Sequence, residues 1–153
     1  MLSLVDTGGP GPDGEQLRGT VTSVADGDTI RVELDDGPEE RVRVLGIDAP
    51  ELHPAECFGG EARSRARALA DGRRVVLVLD ASQEERDRFG RVLAYVLLHG
   101  DDDLGRRLVA EGYASVFVFD RPFRRVESYR DAQDSARRAS RGLWGTCRSR
   151  AGS

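Results

Sequence analysis

Two acidic glycine turns, Asp26-Gly27-Asp28 and Asp35-Asp36-Gly37, cut residues 18–50 into three short runs of alternating apolar and polar side chains. Val21 and Val24 mark the first run, Ile30, Val32 and Leu34 the second, and Val42, Val44 and Ile47 the third, the last set against Arg41, Arg43 and Leu45. A period of two places the apolar set on one face of a strand, which a helix cannot do. The second turn carries the Asp-Gly signal of a hairpin, and Pro50 ends the third run. Three strands in a meander are expected, with one face turned to a core.

The spacing changes after Cys57. Phe58, Ala62, Ala66 and Leu69 recur at helical intervals and stop at Asp71-Gly72. Val75 to Leu79 and Val92 to Leu98 read as two further strands, joined by the charged stretch from Ser82 to Gly90. Asp101 to Asp103 favour a helix start, and Leu104, Leu108 and Val109 give that helix an apolar face ending at Gly112. Tyr113 to Phe119 reads as extended. Val126, Tyr129, Gln133, Ala136 and Ser140 then trace a last helix, with Gly142 before Leu143 and Trp144. Five short strands with a helix between the third and fourth, followed by more helix, is the order of an α+β fold: a five-stranded OB-fold β-barrel with three added α-helices. A chain of 153 residues holds one such domain. It is expected over residues 18–147, between a flexible Gly/Pro/Asp-rich segment, 1–17, and a short tail, 148–153.

Charge narrows the function classes. The net charge of -4 argues against a protein that coats nucleic acid by bulk positive charge. The acids gather toward the front and the bases, all arginine, toward the end. Arginines beyond Asp120 are either a track for a nucleic-acid backbone or a solvated helix face. No apolar run is long enough to cross a bilayer, so no membrane partner is expected, and residues 1–16 lack the charged start and apolar core of a signal peptide, so none is expected there. Cys57 and Cys147 form neither a redox pair nor a zinc quartet, and His53 beside Cys57 is too little for a metal site. They are either buried free thiols or a disulfide stapling the end of the chain to the loop after Glu51. The disulfide is the favoured reading, and it points to a secreted or cell-envelope location.

Three clusters hold the polar chemistry: Asp26-Gly27-Asp28-Thr29, the run Arg43 to Glu51 with Asp48, Ala49 and Pro50, and Asp87-Arg88-Phe89-Gly90-Arg91. Singly, each has a structural explanation as a turn or a charged loop. Together, three strand ends supply carboxylates and guanidinium groups in the proportion that a hard cation and a phosphodiester require.

These residues resemble the staphylococcal nuclease (thermonuclease) family. The likeness runs from about Gly19 to Trp144 and takes in Phe58-Gly59-Gly60-Glu61-Ala62, Leu108-Val109-Ala110-Glu111-Gly112 and Gly142-Leu143-Trp144. It implies an OB-fold barrel with three helices and a calcium-dependent, sugar-nonspecific nuclease. The substrates would be DNA and RNA, cut by in-line attack of water to leave 3′-phosphates. The resemblance makes Asp28 and Asp48 metal ligands, with the main-chain carbonyl of Ala49 as a third. Thr is usual at that position, so a hydroxyl contact to water is lost here. Glu51 matches the residue that acts on the attacking water, and Arg43 and Arg91 match the pair that clamps the phosphate. Guanidinium suits that task because its planar fork stays protonated and binds phosphate bidentately.

The substrate-binding positions depart from the family. Arg88 and Phe89 are expected to contact substrate, but Phe89 stands where Tyr is frequent and cannot offer a hydroxyl. Phe117 and Phe119 fall out of phase with the family's stacking aromatics and are expected to be core. The protein is expected to act as a monomer. The rival reading is a catalytically inactive OB-fold nucleic-acid-binding module, which should have lost one or more of Asp28, Arg43, Asp48, Glu51 and Arg91. All five are present.

Overall fold

A computed structural model describes residues 14–147, so the expected tail, 148–153, and most of the expected leading segment lie outside the described residues. The first strand, β1, is Gln16–Asp26, two residues earlier than the expected start of the domain. It is followed by β2 (Thr29–Leu34), β3 (Glu39–Val44), β4 (Ile47–Asp48), α1 (Gly59–Ala70), β5 (Arg74–Val78) and β6 (Val92–Leu97). The remainder is α2 (Leu104–Ala110), β7 (Ser115–Val116), α3 (Val126–Arg138) and the single turn α4 (Leu143–Thr146).

β1, β2, β3, β6 and β5 close into a barrel in that order, the five-stranded α+β architecture expected from the strand periods. All neighbours are antiparallel except β3 and β6, whose parallel pairing closes the cylinder. β1 spans the closure because it is long and irregular: its register with β2 slips between Val21 and Ser23 and again between Val24 and Asp26. Such slips bend a strand, which lets one end pair with β2 and the other with β5. Val21, Ile30, Val32, Val42, Val44, Leu77 and Val96 fill the interior. Each comes from the inward set of its strand, and burying such a side chain is worth about 1.5–3 kcal/mol.

The third strand is shorter than the alternation implies. It stops at Val44, because Leu45 is buried and Gly46 adopts φ +88°. A side chain at Gly46 would also strike the Phe123 ring at 2.7 Å. The chain therefore turns out of the barrel, and β4 pairs instead with β7. Of the extended stretch from Tyr113 to Phe119, only Ser115 and Val116 belong to a ladder. The last helix ends at Arg138, two residues before Ser140.

Two features tie the helical layer to the barrel. Cys57 and Cys147 form a disulfide with Cα atoms 5.9 Å apart, the favoured of the two sequence readings. Its closure of a 90-residue separation removes unfolded-state entropy worth up to about 4–5 kcal/mol. The second is a buried polar network. Asp80 accepts hydrogen bonds from the Ser82 amide (2.8 Å) and hydroxyl (2.6 Å), the Tyr95 hydroxyl and the Arg124 amide (2.8 Å). Tyr129 donates to Asp103, which also caps α2.

Burial of Asp80 opposes its ionisation, but these donors outweigh it and hold the carboxyl below its ordinary pKa. A carboxylate stabilised in this way contributes above its unfolded pKa of about 3.9, and the contribution disappears as pH falls through the lower folded value. Asp80→Asn is therefore expected to cost about 2 kcal/mol at pH 7. The gap to the wild type should narrow below about pH 4. Urea unfolding of both proteins from pH 7 to pH 3 measures it, and a gap that widens on acidification excludes this role for Asp80.

Candidate active site

The barrel closure decides which side chains meet. Thr29 at the start of β2 is the register partner of Arg43 near the end of β3, and Arg43 pairs in parallel with Leu93 of β6. Asp28, Arg43 and Arg91 are thereby carried to one end of the barrel by three adjacent strands. Asp48 reaches the same place after the Gly46 turn.

Arg43 is held in a fixed pose. Its Nη1 donates to the carbonyls of Val44 (2.9 Å) and Ile47 (2.7 Å), which staples the guanidinium across the turn. Its Nη2 then lies 3.6 Å from Asp28 Oδ2 and 4.0 Å from Asp48 Oδ1. Both carboxylates thus face one cationic group. Asp28 is buried; its Oδ2 accepts the Ala49 amide at 2.8 Å and its Oδ1 the Thr29 hydroxyl at 3.0 Å.

Arg91 enters from β6. Its Nη1 donates to Thr29 Oγ1 (3.4 Å), so Thr29 links it to Asp28. Its Nε donates to Asp87 Oδ2 at 2.7 Å, and Asp87 Oδ1 accepts the amides of Phe89 (2.9 Å) and Arg91 (3.0 Å). Burial raises the pKa of Asp87, but the Arg91 amide and guanidinium and the Phe89 amide outweigh it and keep the carboxyl ionised below its ordinary value. Asp87 is thus a fixed anionic bracket for Arg91. Sequence reasoning placed Asp87 in its motif and gave it no task, and it missed Thr29 as the bridge; both lie beside the arginine or the aspartate they hold, which was the available signal.

Arg43 and Arg91 line one cleft of ≈ 380 Å³ with Arg88, Phe89, Phe117, Phe119, Leu45 and Leu93 among its walls. Phe89, 57% exposed, lies beneath two guanidinium groups, with the Arg88 and Arg91 carbons 4.9 and 5.4 Å from its ring centre. The expectation that Phe117 and Phe119 are core is overturned: they are 42% and 66% exposed. The alternation itself is intact, but it is Val118 that packs against the core, so its two neighbours face out. The cleft therefore has an aromatic wall beside its cationic floor.

Glu51 stands apart from these contacts. It is exposed, just beyond Pro50, and its backbone is tied into the following loop by Glu56. The structure thus brings Asp28, Asp48, Ala49, Arg43 and Arg91 together at the barrel end, sets Arg88 and Phe89 on the cleft wall, and leaves the Glu51 carboxylate toward solvent. The leading chemical capacity of the arrangement is to bind a phosphodiester on two guanidiniums, next to paired carboxylates.

Comparison with known proteins agrees with that chemistry. Residues 41–146 match the family model described as "Staphylococcal nuclease homologue". The chain is 33% identical over 128 residues to the thermonuclease of Staphylococcus hyicus, covering 81% of this chain and 73% of that protein. It is 40% identical over 98 residues to the thermonuclease of Staphylococcus intermedius, covering 61% of this chain and 56% of the relative. An endonuclease of Bacillus subtilis is 31% identical over 130 residues, covering 82% and 60% respectively. With the family model matched over more than half of the chain, from Arg41 in β3 through the helical layer to α4, and a thermonuclease 33% identical over most of both chains, the chain belongs to the staphylococcal nuclease family.

Proposed function

We propose that this protein is a Ca²⁺-dependent, sugar-nonspecific nuclease that hydrolyses phosphodiester bonds of DNA and RNA by in-line attack of water, leaving 3′-phosphate products. The observation that carries the reading is the convergence of Arg43 and Arg91, from the two strands that close the barrel, on a cleft adjoining Asp28 and Asp48.

The donor set fits a hard cation. Asp28 Oδ2 and Asp48 Oδ1 both lie near the positive charge on Arg43 Nη2. Among the described residues no three His, Cys, Asp or Glu side chains gather. The two aspartates therefore need completion by a main-chain carbonyl, the role proposed for Ala49, and by water, a mixture that Ca²⁺ accepts. When bound, the ion supplies charge that offsets the phosphate and the developing negative charge.

The remaining tasks fall to this chain's own groups. Arg43 and Arg91 bind the phosphate oxygens and stabilise the charge that accumulates on them in the transition state. The Asp87 bracket and the Val44 and Ile47 carbonyls hold both guanidiniums in place beforehand, so little reorganisation accompanies the reaction. Glu51 orients the attacking water and accepts its proton. Phe89, Phe117 and Phe119 offer faces on which bases stack without regard to sequence or sugar, at about 1–3 kcal/mol per base. Phe89 has no hydroxyl, so a terminal phosphate gains no hydrogen bond from it. All of these groups come from one chain, consistent with a monomer. The disulfide supports work in an oxidising compartment, outside the cell or in its envelope. Among the described residues no helix is long and apolar enough to cross a membrane.

Incubating the protein with single-stranded DNA and with RNA, in Ca²⁺, in Mg²⁺ and in chelator, tests the reading. Cleavage of both polymers in Ca²⁺, silenced by chelator and yielding 3′-phosphate ends, is the expected result. Cleavage indifferent to chelator removes the cation from the mechanism.

A further inference from the structure

The segment after Pro50 carries Glu51 out of the barrel, touches it again at half-buried Leu52, whose amide donates to Asp26 Oδ1 at 3.2 Å, and rejoins the core at α1. His53, Pro54, Ala55, Glu56 and Cys57 are all exposed, so apolar burial does little to hold this segment. Its order depends on a few named contacts. The Glu51 amide donates to Glu56 Oε1 at 2.8 Å, and the Glu56 amide donates to the Glu51 carbonyl at 2.9 Å. These reciprocal bonds close a ring that fixes the Glu51 backbone from both its polar groups. The Glu56 carbonyl accepts the Gly59 amide at 2.9 Å, which joins the ring to the start of α1. Gly59 has to be glycine for this, since a Cβ there would lie 2.3 Å from the Glu51 carbonyl oxygen.

The next residue anchors the ring covalently. Cys57 is bonded to Cys147, which is buried at the end of α4 and donates its amide to the Leu143 carbonyl at 2.8 Å. Leu143 is fully buried, and its amide is held by the Gly112 carbonyl at 2.8 Å. A continuous path therefore runs from the helical core, through the disulfide and Glu56, to the backbone of Glu51. The stacking of Phe58 on Tyr113, with ring centres 5.4 Å apart, flanks it.

We propose that Glu56 is a positioning residue for Glu51, and that the Cys57–Cys147 disulfide anchors the Glu56 ring to the helical layer. The proposal rests on the catalytic reading of Glu51 given above. Its physical content is that an exposed catalytic carboxylate on a segment without a core of its own needs a backbone clamp. A displacement of about 1 Å in a reacting group can cost up to ~10²-fold in rate.

Three variants test it: Glu56→Ala, Glu56→Gln and the pair Cys57→Ser/Cys147→Ser, each assayed well below its own melting temperature. Glu56→Ala removes the side-chain acceptor, whereas Glu56→Gln removes the charge and keeps Oε1 as an acceptor. On single-stranded DNA, Glu56→Ala is expected to lower kcat about 10–10²-fold with KM within about twofold of the wild type. Glu56→Gln should recover a kcat within about threefold of the wild type. Loss of activity in both variants alike would assign the effect to charge and overturn the clamp, as would a wild-type kcat in Glu56→Ala. Hydrogen exchange at the Glu51 amide supplies a readout that needs no activity. It should quicken in Glu56→Ala and in the cysteine pair, and stay slow in Glu56→Gln. If the wild-type protein cuts no nucleic acid, the proposed function fails, while exchange at Glu51 still decides whether the clamp exists; unchanged exchange in Glu56→Ala rejects it.

Discussion

Glu51→Gln is expected to lower turnover by ~10²–10⁴ while leaving Ca²⁺-dependent nucleotide binding nearly unchanged. The substitution keeps the size of the side chain and its reach into solvent but removes the basic oxygen and the negative charge. The Glu51 amide and carbonyl, which the loop ring uses, are main-chain groups and survive it. A fall in kcat at constant affinity therefore isolates the action on water. The measurement is a pair of titrations, rate and nucleotide affinity, each against Ca²⁺. Near-normal turnover would remove Glu51 from the catalytic groups and make Glu56 a purely structural residue.

Arg43→Ala is expected to give the opposite pattern from a change in a metal ligand. Loss of one preorganised cationic donor to the transition state costs ~10²–10³ in kcat. The same substitution takes away the positive charge 3.6 Å from Asp28 and 4.0 Å from Asp48. The Ca²⁺ concentration that half-saturates the protein should then stay constant or fall, because two carboxylates lose the cation that competes for them. Asp28→Asn should raise that concentration instead, for both binding and turnover. Calorimetric Ca²⁺ titration of the two variants distinguishes them, and a weaker Ca²⁺ affinity in Arg43→Ala contradicts the competition.

The barrel was legible in the sequence because a half-buried strand writes its period directly into the chain. Val21, Ile30, Val32, Val42 and Val44 are buried where alternation put them. The reading failed where the chain leaves that regime. At Leu45 a buried residue occupies an outward-facing position, because the Gly46 turn redirects the strand. At Phe117 and Phe119 the alternation holds, but their placement depends on which face meets the core, and two large apolar residues invited the wrong choice. Motifs brought Asp28, Asp48, Arg43 and Arg91 together without revealing what holds them. The supports are partners whose importance appears only with the fold: the Ala49 amide on Asp28, 21 positions away, and Thr29 on Arg91, 62 positions away. The buried Asp80–Tyr95 contact was invisible for the same reason, since one acid at a strand end resembles any other.

The parallel pairing of β3 with β6 has a consequence for when the site exists. A parallel neighbour cannot be supplied by a hairpin, so Arg43 waits for a strand that lies beyond α1 and β5 in the chain. A growing polypeptide that has reached Asp80 carries both aspartates, Arg43 and Glu51, yet lacks Arg91 and the strand that delivers it. Cys57 likewise waits for Cys147, 90 residues later. Partial products of synthesis or of proteolysis thus lack one of the two guanidiniums to which phosphate binding is assigned under the proposed function. Under the proposed function, the capacity to cut nucleic acid would then arrive only once β6 has joined the barrel, a form of self-restraint written into strand order.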